Sequence, residues 1–253
     1  MIIIDFFIFV IVTQRLTTVN LYEMLTLMRT SILTIRFSNE IKPFEISLFR
    51  GAVINSLDQK LLLFHNHEGE KLRYGYPLIQ YKRIAGKAAI VCLKQGTEDI
   101  GEFFSSNNFT FHLNDRVMEA EITNIMPSRY NVQEWDKDFG YHINRWVPFN
   151  DKNYQEFQKF EGIADQIQFL EKILTGNILS FAKGIGIWFE RQINCKITKL
   201  SNLYWVSIKG IKVASFNAEF KCNVSLPNHI GLGKHVSIGC GTVTHTHPEN
   251  NNK

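Results

Sequence analysis

His65-Asn66-His67 brings two imidazoles into one short polar stretch, Phe64–Tyr74. Imidazole is the side chain suited to proton transfer near neutrality, with an unperturbed pKa of about 6.5. Two of them can supply both the base and the acid that a reaction needs, each worth about 10²–10⁴-fold. Around and after the pair come Lys71, Arg73, Tyr74, Tyr76, Gln80, Tyr81, Lys82 and Arg83. Cations at such positions can stabilise a phosphorane-like transition state, and the aromatic rings can stack on unpaired bases. Two solvated histidines in a polar loop are the plain alternative. Metal binding is another, but an H-x-H pair needs a third ligand and an open position. His245-Thr-His247 is a second such pair in a terminal tail, and no acid cluster accompanies either. The letters "HNH" do not reproduce the spacing of the ββα-metal nucleases that share that label.

A second constellation is Gly231-Leu-Gly233-Lys234-His235-Val-Ser-Ile-Gly239-Cys-Gly241. Two glycine–apolar–glycine units flank a lysine and a histidine. Glycine allows positive φ and close approach of backbone N–H groups to phosphates or to neighbouring backbone. The pattern is neither a dinucleotide fingerprint nor a P-loop. A tight hairpin beside a sheet is the bland reading.

These residues need a scaffold. Ser31–Phe37 alternates as a strand, and Ile46, Phe49 and Val53 after Pro43 have helical spacing. Leu78–Arg83 and Lys87–Leu93 read as strands joined by a turn at Ala85-Gly86. A second, capped helix is expected from Thr97 through Phe104, and a fourth strand over Phe109–Leu113. Strand, helix, strand, strand, helix, strand is the ferredoxin-like split βαβ order. Residues 117–147 read as a β-ribbon broken near Asp136-Lys-Asp138. A helix is expected over Tyr154–Leu174, capped by Asn150 or Asp151 and ended by Gly176, with a shorter apolar segment at Ile178–Phe189. From Phe216 to Leu226 apolar and polar residues alternate strictly, as in a strand with one wet face.

The 253 residues are 45% hydrophobic and 21% charged, which excludes an intrinsically disordered chain. Four scattered cysteines without a C-x-x-C pair read as buried thiols in a reducing compartment. Behind the net charge of +4 lie two basic stretches without acids, six cations from Lys71 to Thr97 and five from Arg191 to Ala218. Such stretches suit a polyanion, which releases counterions when bound, and equally a solvated basic face. The apolar run Phe6–Val12 is too short to span a bilayer and lacks a basic flank or cleavage site. Residues 1–27 therefore read as an extension from start-site choice, non-native or disordered, and the protein as cytoplasmic. The expected division is a first unit over 28–113, a second over 114–245 and a flexible tail over 246–253.

The glycine pattern at the carboxy-terminal end, with Phe49-Arg-Gly-Ala-Val-Ile54, Leu63-Phe-His-Asn-His67 and Tyr74-Gly-Tyr-Pro-Leu-Ile-Gln-Tyr-Lys-Arg-Ile84, resembles the CRISPR-associated repeat-RNA endoribonucleases of the Cas-six type, b-like branch. The resemblance spans most of residues 28–245. It implies an α+β fold of two tandem ferredoxin-like (RRM-like) domains with a C-terminal glycine-rich loop. It also implies cleavage of CRISPR precursor RNA within its repeats, without a metal or other cofactor. The ribose 2′-OH attacks the adjacent phosphate, leaving a 2′,3′-cyclic phosphate (or 3′-phosphate) and a 5′-OH. His67 and His65 are the expected base and acid in either order, with Tyr81 and Lys82 in support. RNA contacts are expected from Lys71, Arg73, Tyr74, Tyr76, Gln80, Arg83, Gly231, Gly233, Lys234, His235, Gly239 and Gly241. The expected partners are the repeat RNA and CRISPR effector-complex subunits, for a monomer or homodimer without membrane contact. A non-catalytic RNA-binding subunit of such a complex is the alternative from another class.

Overall fold

A computed structural model describes residues 29–56, 67–68, 71–72, 75–105, 109–114 and 116–246. The readings placed on 1–27, on His65, Arg73 and Tyr74, and on the tail from 247 onward lie outside the described residues. No helix of the described residues is long and apolar enough to cross a membrane.

The first unit holds a four-stranded antiparallel sheet. Strand β1 (Arg29–Glu40) is followed by helix α1 (Ile46–Asn55) and by a two-residue hairpin of β2 (His67–Glu68) with β3 (Lys71–Leu72). Strands β4 (Ile79–Ile84) and β5 (Lys87–Leu93) meet at Ala85-Gly86, whose φ values of 50° and 86° are those of a primed hairpin turn. Two short helices follow, α2 (Gly96–Asp99) and α3 (Gly101–Ser105), rather than one. The fourth strand is also placed differently from the sequence expectation. Thr110–Leu113 (β6) pairs only with Arg116–Glu119 (β7), and the sheet is completed by β8, Ile122–Asn131. The first unit therefore extends to residue 131, not 113. Strand β8 falls within the stretch read as β-ribbon, but it pairs with β1 of the first unit; Pro127 is tolerated there because β8 is an edge strand in the order β4-β5-β1-β8.

Residues 117–147 are accordingly not one ribbon. Strand β9 (Glu134–Trp146) belongs to the second unit. Helix α4 (Asp151–Phe157) starts at Asn150, whose side chain accepts from the Asn153 N–H at 2.7 Å. The chain then breaks and restarts as α5 (Ile163–Gly184), which runs through Gly176. Leu170, Leu174, Ile178 and Phe181 form its fully buried stripe, so packing outweighs the helix cost of one glycine. Strands β10 (Cys195–Leu200) and β11 (Tyr204–Ile208) pair with successive stretches of β12 (Ile211–Val224), and β13 (Thr242–His245) closes the sheet. The order β10-β12-β9-β13 repeats that of the first sheet: second, third, first, fourth. Both units are thus ferredoxin-like, but in the second the segment Leu226–Gly241 stands where the second helix would be.

The units share a core. Ile35, Phe37, Ile90 and Cys92 face the first unit's helices, with Phe49 fully buried against Phe37, Tyr81 and Phe111. The alternate residues Ile32, Val91 and Leu93 join Tyr141, Trp146, Phe181 and Phe220 of the second unit. Burial on both faces is why β5 reads as an unbroken apolar run. All four cysteines are buried free thiols. Phe49→Ala is expected to lower the unfolding free energy by about 3–5 kcal/mol in denaturant titration. Trp188→Ala, at a side chain 74% exposed, should change it by no more than about 0.5 kcal/mol.

Candidate nucleic-acid interface

After β12 the chain returns along β13. Leu232 N–H donates to Gly241 O at 2.9 Å, Gly231 bridges to Thr242, and Val243 N–H donates to Ile230 O at 2.8 Å. The two glycine–apolar–glycine arms are therefore antiparallel neighbours that lengthen the β13 ladder, with Leu232 and Cys240 fully buried. A 3₁₀ turn, Val236–Ile238, joins them and packs against β4 and α1. Two of the glycines are required by close approach. A Cβ on Gly231 would come within 2.9 Å of Lys82 Nζ and would also strike Val236. One on Gly239, at φ +83°, would lie 2.8 Å from Ile46 Cδ1.

Side chains of the first unit then fasten this segment. Tyr76 OH donates to Gly231 O at 2.8 Å and accepts from Gln80 Nε2 at 2.9 Å, while Gln80 Nε2 also reaches Pro77 O at 3.0 Å. The Tyr76 ring sits edge-on to Phe181 at 5.2 Å. Lys82, with no exposed surface, donates from Nζ to Val236 O at 3.3 Å. Burial disfavours its charged form and lowers its pKa to about 7, against a smaller opposite influence from Cys240. Burial also holds His229 down to about 4, aided by Arg36 and Lys82. His235 is lowered by burial and by Lys234 and Lys209.

Several sequence expectations change in this geometry. Tyr81 lies in the first unit's own core, on the opposite face of β4 from Lys82, and burial raises its pKa. Tyr81 is therefore packed in the first unit's core, and Lys82 reaches from buried surroundings to the glycine segment. Gln80, Gly231, Gly239 and Gly241 are likewise buried, and the Tyr76 hydroxyl is engaged inward. Arg83, Lys234 and His235 are exposed, and Gly233 is half-buried. His67 and Lys71 sit on the β2–β3 hairpin.

The sequence reading missed Arg145 and His229. Both line the junction with Arg83, and both have left-handed backbone, at φ +51° and +68°. A signal for Arg145 was present: the buried positions Tyr141, Ile143 and Trp146 slip from a spacing of two to three, as at a β-bulge. Nothing in the residue pattern marks His229. Among the described residues no three His, Cys, Asp or Glu side chains gather as a metal site.

Comparison with known proteins covers both units. Residues 28–131 match the Cas6b N-terminal domain and residues 133–246 the Cas6b C-terminal domain. These boundaries fall at the β8–β9 connection. The chain is 36% identical over 101 residues to the uncharacterized protein MJ0978 of Methanocaldococcus jannaschii, covering 40% of this chain and 67% of that one. It is similar to a crystal structure of Cas6b, with a TM-score of 0.80 and 25% identity over 86% of this chain and 100% of that one. A crystal structure of a CRISPR RNA processing endoribonuclease Cas6b aligns at 0.67, with the same identity and coverage.

The buried lysine leads to a pH prediction. An unfolded Lys82 keeps its proton to about 10.5, the folded one only to about 7. Between these values the unfolded chain binds more protons, so this group's contribution to stability rises with pH, and its full cost is present below 7. Lys82→Met is expected to be at least as stable as the parent at pH 7, and the parent should gain on it steadily towards pH 10 in unfolding titrations. The buried thiols are common to both chains and cancel in the difference. A difference independent of pH would refute the assignment.

Proposed function

This chain belongs to the Cas6b family, and from that premise we propose that it is an endoribonuclease that cuts CRISPR precursor RNA within its repeats. The observation that carries the reading is that residues 28–131 match the Cas6b N-terminal domain and 133–246 the C-terminal domain, one across each ferredoxin-like unit. The His65-Asn66-His67 stretch supplies the residue types the chemistry needs. The reaction uses the strand's own nucleophile. One imidazole removes the proton of a ribose 2′-OH, and the 2′ oxygen bonds to the adjacent phosphorus. The bond from phosphorus to the 5′ oxygen breaks, and the second imidazolium protonates that oxygen. The products are a 2′,3′-cyclic phosphate and a 5′-OH, with no water and no metal ion consumed in the step. Which histidine is the base is left open by their equivalence in the sequence.

The cations have a separate task. Lys234 and His235 are exposed at the apex of the glycine segment, near Lys209, and Arg83 is exposed at the end of β4. Such groups neutralise phosphates and hold the strand in register without reading its sequence.

Incubation with a CRISPR repeat RNA in the presence of EDTA is expected to give 2′,3′-cyclic phosphate and 5′-OH ends. The double variant His65→Ala/His67→Ala should lose at least about 10²-fold in single-turnover rate while still binding the repeat. A 2′-deoxy nucleotide at the scissile position should stop the reaction, and a deoxy substrate cut as readily as the native one would overturn the mechanism. Binding of the repeat without any cleavage by the parent would instead favour the non-catalytic subunit.

A further inference from the structure

Between the units lies a cleft of about 300 Å³, lined by Arg83 and the start of α1 on one side and by Asn144, Arg145, His229, Thr242 and Thr244 on the other. Its charge is one-sided. Arg83 Nε donates to Ile41 O at 2.7 Å, and Arg145 Nη1 donates to Pro43 O at 3.0 Å. Both guanidinium groups are thus held by the same connection between β1 and α1, one from each unit. Neither forms an ion pair with a described carboxylate: Glu45 is taken by Arg116, Glu219 by Lys199, Asp136 by Arg191 and Glu171 by Lys196. A guanidinium has five N–H donors, so each anchored arginine keeps donors for a further acceptor.

The backbone is shaped to deliver Arg145. Ile143 pairs with Ala218 and Trp146 with Phe216, so Asn144 and Arg145 together oppose Asn217. Arg145 takes the left-handed conformation at φ +51°, and its N–H donates to Asn217 Oδ1 at 2.9 Å. This bulge turns the side chain across the junction towards the first unit. Bulges that re-aim one residue, and non-glycine residues with positive φ, concentrate at functional sites. His229 is the second such residue on the wall, at φ +68°. Beyond the cleft, Asn144 pairs with Thr242 and His142 with Thr244, which sets a polar row on the uncovered face of the second sheet.

We infer that this cleft is a binding subsite for an internucleotide phosphate of RNA, clamped between Arg83 of the first unit and Arg145 of the second. A phosphodiester matches paired guanidinium donors, and a cleft of this volume takes a nucleotide rather than a bare ion. The polar row leads a strand away over the sheet. The inference rests on the RNA-processing reading above and adds where the backbone is held. The site exists only while the units are docked, so RNA bound there tightens the junction.

The test uses the full chain and a repeat RNA carrying a 2′-deoxy nucleotide at the scissile position, titrated over a range of salt. Arg83→Ala and Arg145→Ala are each expected to weaken binding about tenfold, for any repeat sequence, and to reduce the log–log salt slope by about one. Arg83→Lys should keep the slope. Unchanged affinity and slope in both alanine variants, with the parent still binding, would overturn the subsite and leave the proposed function intact. A parent that neither binds nor cuts repeat RNA would instead refute the proposed function. If Arg145→Ala melts below the assay temperature, Arg83→Ala carries the test, because its guanidinium is held at an exposed strand end. A thermal-shift titration separates two sources of the same chemistry. A deoxy-blocked dinucleotide acting at lower concentration than inorganic phosphate supports the strand, and phosphate binding equally well overturns it.

Discussion

The junction depends on one constraint: the segment Gly231–Gly241 must come close enough to β4 and α1 for its glycines to meet Lys82 and Ile46 directly. Strand β4 is the edge of the first sheet, and edges expose hydrogen-bonding groups that natural proteins cover. Here the neighbour is the other unit's 3₁₀ turn, fastened by side chains, rather than a long helix. A helix in that place would hold its own carbonyls, whereas an irregular segment turns the carbonyls of Gly231 and Val236 outwards to Tyr76 and Lys82. The second unit gives up a ferredoxin-like helix and obtains an attachment to its neighbour. Leu232 and Cys240, buried between the arms, make this segment part of the core rather than a mobile flap.

The electrostatics of the junction follow from the same arrangement. A buried ammonium whose partner is a carbonyl is not needed for stability, since apolar replacements of buried charges are often neutral or stabilising. Its effect is on potential. Lys82 and Arg36 both act on His229 from within and help keep that imidazole neutral near pH 7. Arg83 and Arg145 add charge at the cleft wall, whose lining includes no acid. The positive field is therefore built into packed, hydrogen-bonded groups and is screened less than a comparable set of solvated lysines. The net charge of the chain says little about this, because what matters is where the acids are missing.

Much of the fold was legible because it is written in periodicity. Phe216–Leu226 shows its strand directly, and the Ala85-Gly86 turn shows its hairpin. Where tertiary context decided, periodicity misled: α5 passes through Gly176 because Leu174 and Ile178 are buried on either side of it, and β8, read as ribbon, belongs with β1 rather than with β9. Tyr81 and Lys82 are adjacent in one strand, so their side chains leave opposite faces of β4, and both are buried. The glycine pattern permits close approach, and in the fold Gly231 comes close to Lys82 and Val236, and Gly239 to Ile46. The histidine pair is a reading of residue types only.

The bulge at Asn144-Arg145 shows how two copies of a common unit acquire a site that neither holds alone. A regular β9 would pair Arg145 within the sheet and leave it on the surface of the second unit. One extra residue rotates the backbone into the left-handed region, Asn217 stabilises it there, and the side chain reaches Pro43 of the first unit. One of these hydrogen bonds lies within the second unit and the other crosses to the first. Docking in turn gains the Arg145 contact. A ligand that engages Arg83 and Arg145 together binds only the docked state, and by linkage its binding free energy becomes docking free energy. At the proposed subsite, strand binding and unit association would be one equilibrium, coupled through two guanidinium groups anchored on the same short connection.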